Sequence, residues 1–279
     1  MKGMKCMNNF VITGFSDEIA PDLKTQMDEL EKIGISHIEM RGVNGKSIVQ
    51  HSIDEVKKIK KQLDERGFKV SAIGSPIGKT NINDNFEPEL QLLKHTKVIA
   101  EVLESQYIRV FSFFIQKGEK VEDYRNEVIK RYRGFVKVLE GSNIILLHEN
   151  ERETFGDIPK RCMDLFKTIN SSHLKGIMDI GNFVLSGVED VLEAYEYLKD
   201  EIAYVHIKDA AVDEKHFFPI GEGTGRAKEI LTVLNKNPQN YFLSIEPHLG
   251  YLPCSGAEQF NIAYQALKTL IDEVTDNNK

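Results

Sequence analysis

Four acid or imidazole side chains stand at the ends of four short apolar runs in the second half of the chain. They are Glu149 in "LLHENE", Asp179 in "IMDIGN", His206 in "YVHIKD" and Glu246 in "LSIEPH". Taken singly, an acid at a strand end is more often a helix cap or a solvated loop residue. A histidine such as His206 is more often a hydrogen-bonded core or loop residue than a ligand. Four ligand-capable residues at four successive strand ends are poorly explained by independent capping, and the joint pattern points to a metal site. Three carboxylates and one imidazole suit a divalent cation in a five- or six-coordinate, partly open site. The oxygens favour Mn, Mg or Co, and the imidazole moves the balance from Mg alone towards Mn, Co, Fe or Zn. No cysteine accompanies the set, which argues against structural zinc.

Neighbouring residues are read against the same strands. In "IILLHENE" (144–151) the strand delivers Glu149 to its end, so His148, of opposite parity, should point towards the covering layer. Lys208 lies two residues past His206 and faces the same way if the strand persists. There its ammonium could hold a hydroxyl, an enediolate oxygen or a phosphate; a solvated loop lysine is the plain alternative. Asp209 is a candidate partner for it. Arg41 and Glu18 are weaker candidates for substrate contact, with surface or capping roles as alternatives, and His248 shares parity with Glu246. The loop "GEGTG" (221–225) resembles a phosphate cradle but lacks the GK[ST] ending of a P-loop, so it reads as a tight turn before a helix near Ala227.

These strand ends require a scaffold that gathers them. Eight apolar runs, at 10–15, 37–40, 69–74, 107–114, 144–149, 175–180, 204–208 and 241–246, are rich in Ile, Val, Phe and Tyr and mostly do not alternate. That is the pattern of parallel strands covered on both faces. Between them lie helix signals: Pro21 before a stripe ending at Gly34, a Ser52/Glu55 capping box before a stripe ending at Gly67, a Ser186/Glu189 box before Val191, and Pro88 and Pro159 as helix openers. A last helix from about Gly256 to Val274 buries Phe260, Leu267, Leu270 and Ile271. The count predicts an α/β fold, a (β/α)8 TIM barrel, as a single domain over 1–279 with its core at about 10–274 and a frayed "TDNNK" tail. A doubly wound open sheet would leave some of these runs unexplained. In a barrel, function belongs at the C-terminal strand ends.

Composition narrows the class. The net charge of −7 argues against non-specific nucleic-acid binding. Cys6, Cys162 and Cys254 have no zinc or CxxC spacing and read as reduced thiols. The start "MKGMKCMNNF" followed by "FVITGF" is too interrupted for a signal-peptide core, and no 18-residue apolar run appears, so a cytoplasmic location without membrane contact is expected.

The ordered motifs "HEN", "MDIGN", "HIKD", "GEG" and "IEPH", with "GFSDEI" (14–19) and "IGISHIEMRGVNGKS" (33–47), resemble the xylose-isomerase-like TIM barrels of the sugar phosphate isomerase/epimerase family. The resemblance covers nearly the whole chain. It implies a divalent-metal cofactor on Glu149, Asp179, His206 and Glu246, and a small carbohydrate or related polyol or keto-sugar as substrate. It also implies Glu149 and Glu246 as the catalytic carboxylates, one removing a proton and the other returning it through a metal-stabilised enediolate. Asn182, Lys208 and Arg41 are the substrate-binding candidates. Asn182 stands where several members carry histidine, so it offers a hydrogen bond in place of an imidazole. A dehydratase of a cyclitol or keto-sugar needs the same metal and base. An apurinic-endonuclease-type phosphodiesterase would need further strand-end histidines that this chain lacks, and a non-catalytic sugar-binding barrel would not need the ligand set.

Overall fold

The computed structural model describes residues 10–214 and 216–276. Cys6, the rest of the N-terminal segment and residues 277–279 of the "TDNNK" tail lie outside them. Eight parallel strands form one sheet: β1 (Phe10–Gly14), β2 (His37–Met40), β3 (Lys69–Ile73), β4 (Tyr107–Val110), β5 (Ile145–Glu149), β6 (Leu174–Asp179), β7 (Ile202–Ile207) and β8 (Tyr241–Ile245). Neighbours in the ladder run β2 to β8 in sequence order, and β1 pairs with β8, with Phe10 opposite Tyr241 and Gly14 opposite Ile245. β1 also packs beside β2 without a backbone ladder, so the ring is nearly closed: the fold is a TIM barrel.

Helices cover the outside: α1 (Leu23–Lys32), α2 (Ile53–Glu65), α3 (Glu87–Val102), α4 (Arg125–Leu139), α5 (Pro159–Ile169), α6 (Ile180–Leu185), α7 (Val191–Leu198), α8 (Ala227–Lys236) and α9 (Gly256–Asp276). Each buries the apolar stripe that its spacing shows, as with Val56, Ile59 and Leu63 on α2. The Ser52 capping box is formed, and Gly34 and Gly67 follow their helices with φ of +76° and +73°, a conformation glycine adopts freely. None of the described helices is long and apolar enough to cross a membrane.

Several boundaries differ from the sequence reading. Ser186 and Glu189 form no capping box. The helix at Val191 is capped by Asp190, whose carboxylate accepts from the Leu192 and Glu193 amides at 2.9 and 3.1 Å, while Ser186 ends the short α6. Asp22, and not Pro21, opens α1. The run 107–114 is a strand only to Val110, since Phe113 takes φ +67° and the chain leaves the sheet. α9 continues through Thr275 and Asp276, and its Leu270 is only half-buried.

The barrel interior is layered by strand parity. Leu147, Ile177, Tyr204 and Ala72 form a small apolar cluster, separate from the larger core between sheet and helices. Below it the Tyr204 hydroxyl bonds Ser71 Oγ at 2.9 Å, and Ser71 bonds Thr13 Oγ1 at 2.8 Å, so the polar groups inside the ring satisfy one another. Two residues further along each strand from Leu147, Ile177 and Tyr204 come Glu149, Asp179 and His206. The period of two that fills the barrel therefore also aims these residues into its mouth.

Candidate active site

Glu149, Asp179, His206 and Glu246 meet at the C-terminal end of the barrel. Each offers one atom, and these four atoms lie within 4.8 Å of one another. All four residues are buried. His206 Nδ1 is the centre of the group, 3.1 Å from Glu149 Oε1, 3.6 Å from Asp179 Oδ2 and 3.7 Å from Glu246 Oε2. Its other nitrogen, Nε2, lies 3.0 and 3.2 Å from the two oxygens of Glu39, a fully buried carboxylate on β2. Glu39 also accepts the Ser244 hydroxyl at 2.6 Å. Donation from Nε2–H to Glu39 fixes the ring and leaves Nδ1 facing the carboxylates.

Lys208 is buried although its strand ends at Ile207, and it is no solvated loop lysine. Its ammonium is 2.9 Å from Asp179 Oδ2 and bonds Glu246 Oε2. Asp209 does not pair with it. The Asp209 carboxylate accepts from the amides of Ala210, Gly221 and Gly225 at 2.9, 3.0 and 2.9 Å, so it gathers the glycine-rich loop in the role a phosphate would take. Arg41, beyond the end of β2, reaches Asp17 Oδ2 at 2.8 Å, Glu18 Oε1 at 3.0 Å and Glu246 Oε1 at 3.4 Å. His248 bridges Glu246 Oε1 and Glu18 Oε1 at 2.9 and 3.2 Å. The Asn182 side chain lies 3.4 Å from Glu149 Oε1 and donates to the Asn150 carbonyl at 3.0 Å. His148 points away from the mouth, between the rings of Tyr132 and Phe166, with Nε2 3.1 Å from Ser112 Oγ.

Three groups escaped the sequence reading. Glu39 sits inside "HIEM", and Arg109, on β4, sets Nη1 3.2 Å from Glu149 Oε2. Asn150 exchanges two hydrogen bonds with the backbone of Asp179, at 2.8 and 2.9 Å, tying the ends of β5 and β6 together. For Glu39 and Arg109 the signal available was a charged residue within a short buried strand; Asn150, a neutral residue just past β5, gave no such signal.

The electrostatics follow from this crowding. Burial raises Glu149, but His206 and Arg109 outweigh it and hold the carboxyl well below its usual range. Burial likewise raises Glu246, and Lys208 and His248 bring it far down. For Asp179 burial prevails over Lys208 and the carboxyl is raised. Burial lowers His206, yet Glu39 and Glu149 more than reverse this. The cluster therefore draws positive charge to Nδ1.

The donor set fits a divalent cation. Glu149 Oε2, Asp179 Oδ2 and His206 Nδ1 are buried and complete no well-directed hydrogen bond, although Arg109 and Lys208 stand near the first two. Such atoms are costly unless an ion or a proton satisfies them. A second set, Glu18, Glu246 and His248, also lies close enough to hold an ion, but Arg41 already spans Glu18 and Glu246 and supplies the positive charge there.

Above the group lies a cavity of about 390 Å³. Glu149, Glu246, Lys208, Asn182 and Arg41 all line it, whereas Asp179 and His206 stay beneath. A groove of about 430 Å³ opens at the opposite end of the barrel, but its Lys60 is bonded to Asp64 and Glu104 at 2.5 and 3.1 Å, and among the described residues no ligand-type cluster faces it.

Fold and site together define a TIM barrel that could hold a metal on the ends of four successive strands. The chain belongs to the xylose isomerase-like TIM barrel family, whose model matches residues 27–270. A 3-dehydroshikimate dehydratase from Bacillus anthracis is 19% identical over 186 residues, 66% of this chain; the match likewise spans 66% of that relative's length. Among solved structures, the IolI protein with a bound zinc atom superposes with a TM-score of 0.79 at 14% identity, covering 96% of this chain and 99% of that one. A D-tagatose 3-epimerase-like protein gives 0.78 at 18% identity, covering 98% and 100%. At these identities the structural likeness shows the shared fold.

Proposed function

We propose that this chain is a metal-dependent enzyme that isomerises or epimerises a sugar-like hydroxy-ketone or hydroxy-aldehyde by proton transfer beside the carbonyl. One observation carries the reading: of the four converging residues, only the two glutamates reach the cavity. Asp179 and His206 can hold an ion but cannot touch a substrate carbon, whereas Glu149 and Glu246 can do both. A divalent cation on the four residues would polarise the carbonyl and offset the negative charge of the enediolate.

The remaining roles belong to the chain's own groups. Glu246 is held ionised and therefore ready to accept a proton; Oε1 receives His248 and Arg41, and Oε2 receives Lys208. Glu149, across the mouth, is oriented by Arg109 and Asn182 and serves the opposite face. Lys208, whose pKa is raised because Asp179 and Glu246 overcome its burial, stays charged and can hold a substrate oxygen. Asn182 offers its amide to a hydroxyl. Phe217, with Lys208 Nζ 4.6 Å from its ring, covers one side of the cavity and limits water.

The dehydratase relative and the buried Lys208 favour a second reading, in which the same base removes the proton and a β-hydroxyl leaves with a proton from Lys208. One experiment separates the two. The metal-loaded protein is incubated with keto-sugars and keto-cyclitols in D2O and followed by NMR. Deuterium incorporation with a new isomer supports the first reading, and stoichiometric loss of water supports the second. Glu246→Gln should lower either rate by about 10²- to 10⁴-fold while retaining part of the metal affinity. Full activity in that variant would remove Glu246 from the mechanism.

A further inference from the structure

The cavity over the four residues is richer in positive than in negative charge, in a chain whose net charge is −7. Five arginine and lysine side chains line it against three carboxylates. Two of those carboxylates, Glu149 and Glu246, are assigned above to the cation and the proton transfer. The third, Glu151, is bonded to Lys79 at 2.6 Å. Arg41 and Lys208 are engaged with Asp17, Glu18, Asp179 and Glu246. Of the two remaining guanidiniums, Arg109 has Nη1 3.2 Å from Glu149 Oε2, and Arg152 has no carboxylate partner among the described residues.

Arg152 is exposed and makes no hydrogen bond or ion pair among the described residues. Arg109 is 5% exposed, and beyond Glu149 it reaches only the carbonyls of Gly74 and Ser75, both at 3.4 Å. Those are long bonds for a buried guanidinium with five donors. Arg109 Cζ and Lys79 Nζ stand 4.9 and 4.4 Å from the centre of one ring, Phe111, which places them in the same wall.

We infer that the substrate carries a carboxylate, held by Arg152 and Arg109 with Lys79 beside them. It is then a hydroxylated keto acid and not a neutral sugar. This rests on the proton-transfer site proposed above and adds the charge of its substrate. A guanidinium presents paired N–H groups that match the two oxygens of a carboxylate. A phosphate is commonly cradled by successive backbone amides. In the glycine-rich loop 221–225, the Gly221 and Gly225 amides are turned to Asp209 instead.

Titration calorimetry of the Mn²⁺-loaded protein with gluconate, sorbitol and sorbitol 6-phosphate tests this. Gluconate should bind at least about 10-fold more tightly than sorbitol, the scale of one desolvated charge-assisted contact. Arg152→Gln, an exposed substitution, should remove most of that difference and leave sorbitol unchanged. Equal binding of gluconate and sorbitol overturns the inference, as does tighter binding of the phosphate than of gluconate. A gluconate preference that survives in both Arg152→Gln and Lys79→Gln assigns the acid to the metal and overturns the subsite. If none of the three compounds binds, the sugar-like substrate itself falls; sorbitol binding without acid preference removes the carboxylate subsite alone.

Discussion

At the scale of single residues, the candidate site depends on groups that never reach the cavity. Glu39 accepts a hydrogen bond from Nε2–H of His206 and is itself pinned by Ser244, so the imidazole has one orientation and presents Nδ1. Such partners commonly contribute about 10- to 100-fold to metal affinity. Glu39→Gln keeps the shape but removes the charge, and competition with a chromophoric chelator should show a loss in that range. Unchanged affinity would reduce Glu39 to a packing residue. His148, next to Glu149 but facing the helices, has a separate effect. Burial lowers its pKa from 6.5 to about 4. Between those values the unfolded chain binds a proton that the native chain refuses, so stability falls as the pH drops through this window. The full effect is about 3 kcal/mol. Urea unfolding with chelator present, at pH 7 and pH 4.5, should show a steeper acid loss for the wild type than for His148→Gln, whose amide can still donate to Ser112. Parallel losses would mean that His148 is already protonated in the native state.

At the scale of elements, strand ends and loops share the task of positioning. β5, β6 and β7 deliver their site residues by parity, whereas the loop after β7 is held by one buried carboxylate. Asp209 accepts three backbone amides, and a Cβ at Gly223 would come within 2.3 Å of the Ala210 carbonyl oxygen. Asp209→Ala should therefore cost about 2 kcal/mol or more in chemical denaturation, since buried amides lose a charged acceptor. Hydrogen exchange should localise the effect to the 210–226 segment. Unaltered protection there would contradict the role. The strands were readable because runs buried on both faces are apolar until they reach the mouth, where "IILL" gives way to Glu149 and "YV" to His206. Glu39 and Arg109 were less readable because their partners, His206 and Glu149, lie 167 and 40 positions away along the chain. Asp190 caps α7 in place of Ser186 because Ser186 already ends α6, a short helix that directly follows β6.

At the scale of the whole molecule, the four residues come from consecutive parts of the ring, and an ion held by them would bind only the closed barrel. A ligand of the native state stabilises it by about 2.7 kcal/mol at 100 times its Kd. In a chain of this size each kcal/mol corresponds to about 2 °C in Tm. Removing the metal with EDTA should therefore lower Tm by about 5 °C, and adding Mn²⁺ or Zn²⁺ back should restore it. Asp179→Asn supplies the internal control, because Asp179 lies beneath the cavity and can act on a substrate only through the ion. Its amide can still cap α6, where the carboxylate now accepts from the Asn182 amide at 2.8 Å. The variant should fold, yet its Tm should respond little to either EDTA or added metal. A barrel that uses these residues only as an internal salt-bridge network would give the opposite result. The wild type would ignore the chelator, and Asp179→Asn would lose stability by the same amount with or without metal, because Lys208 would be left beside one carboxylate fewer.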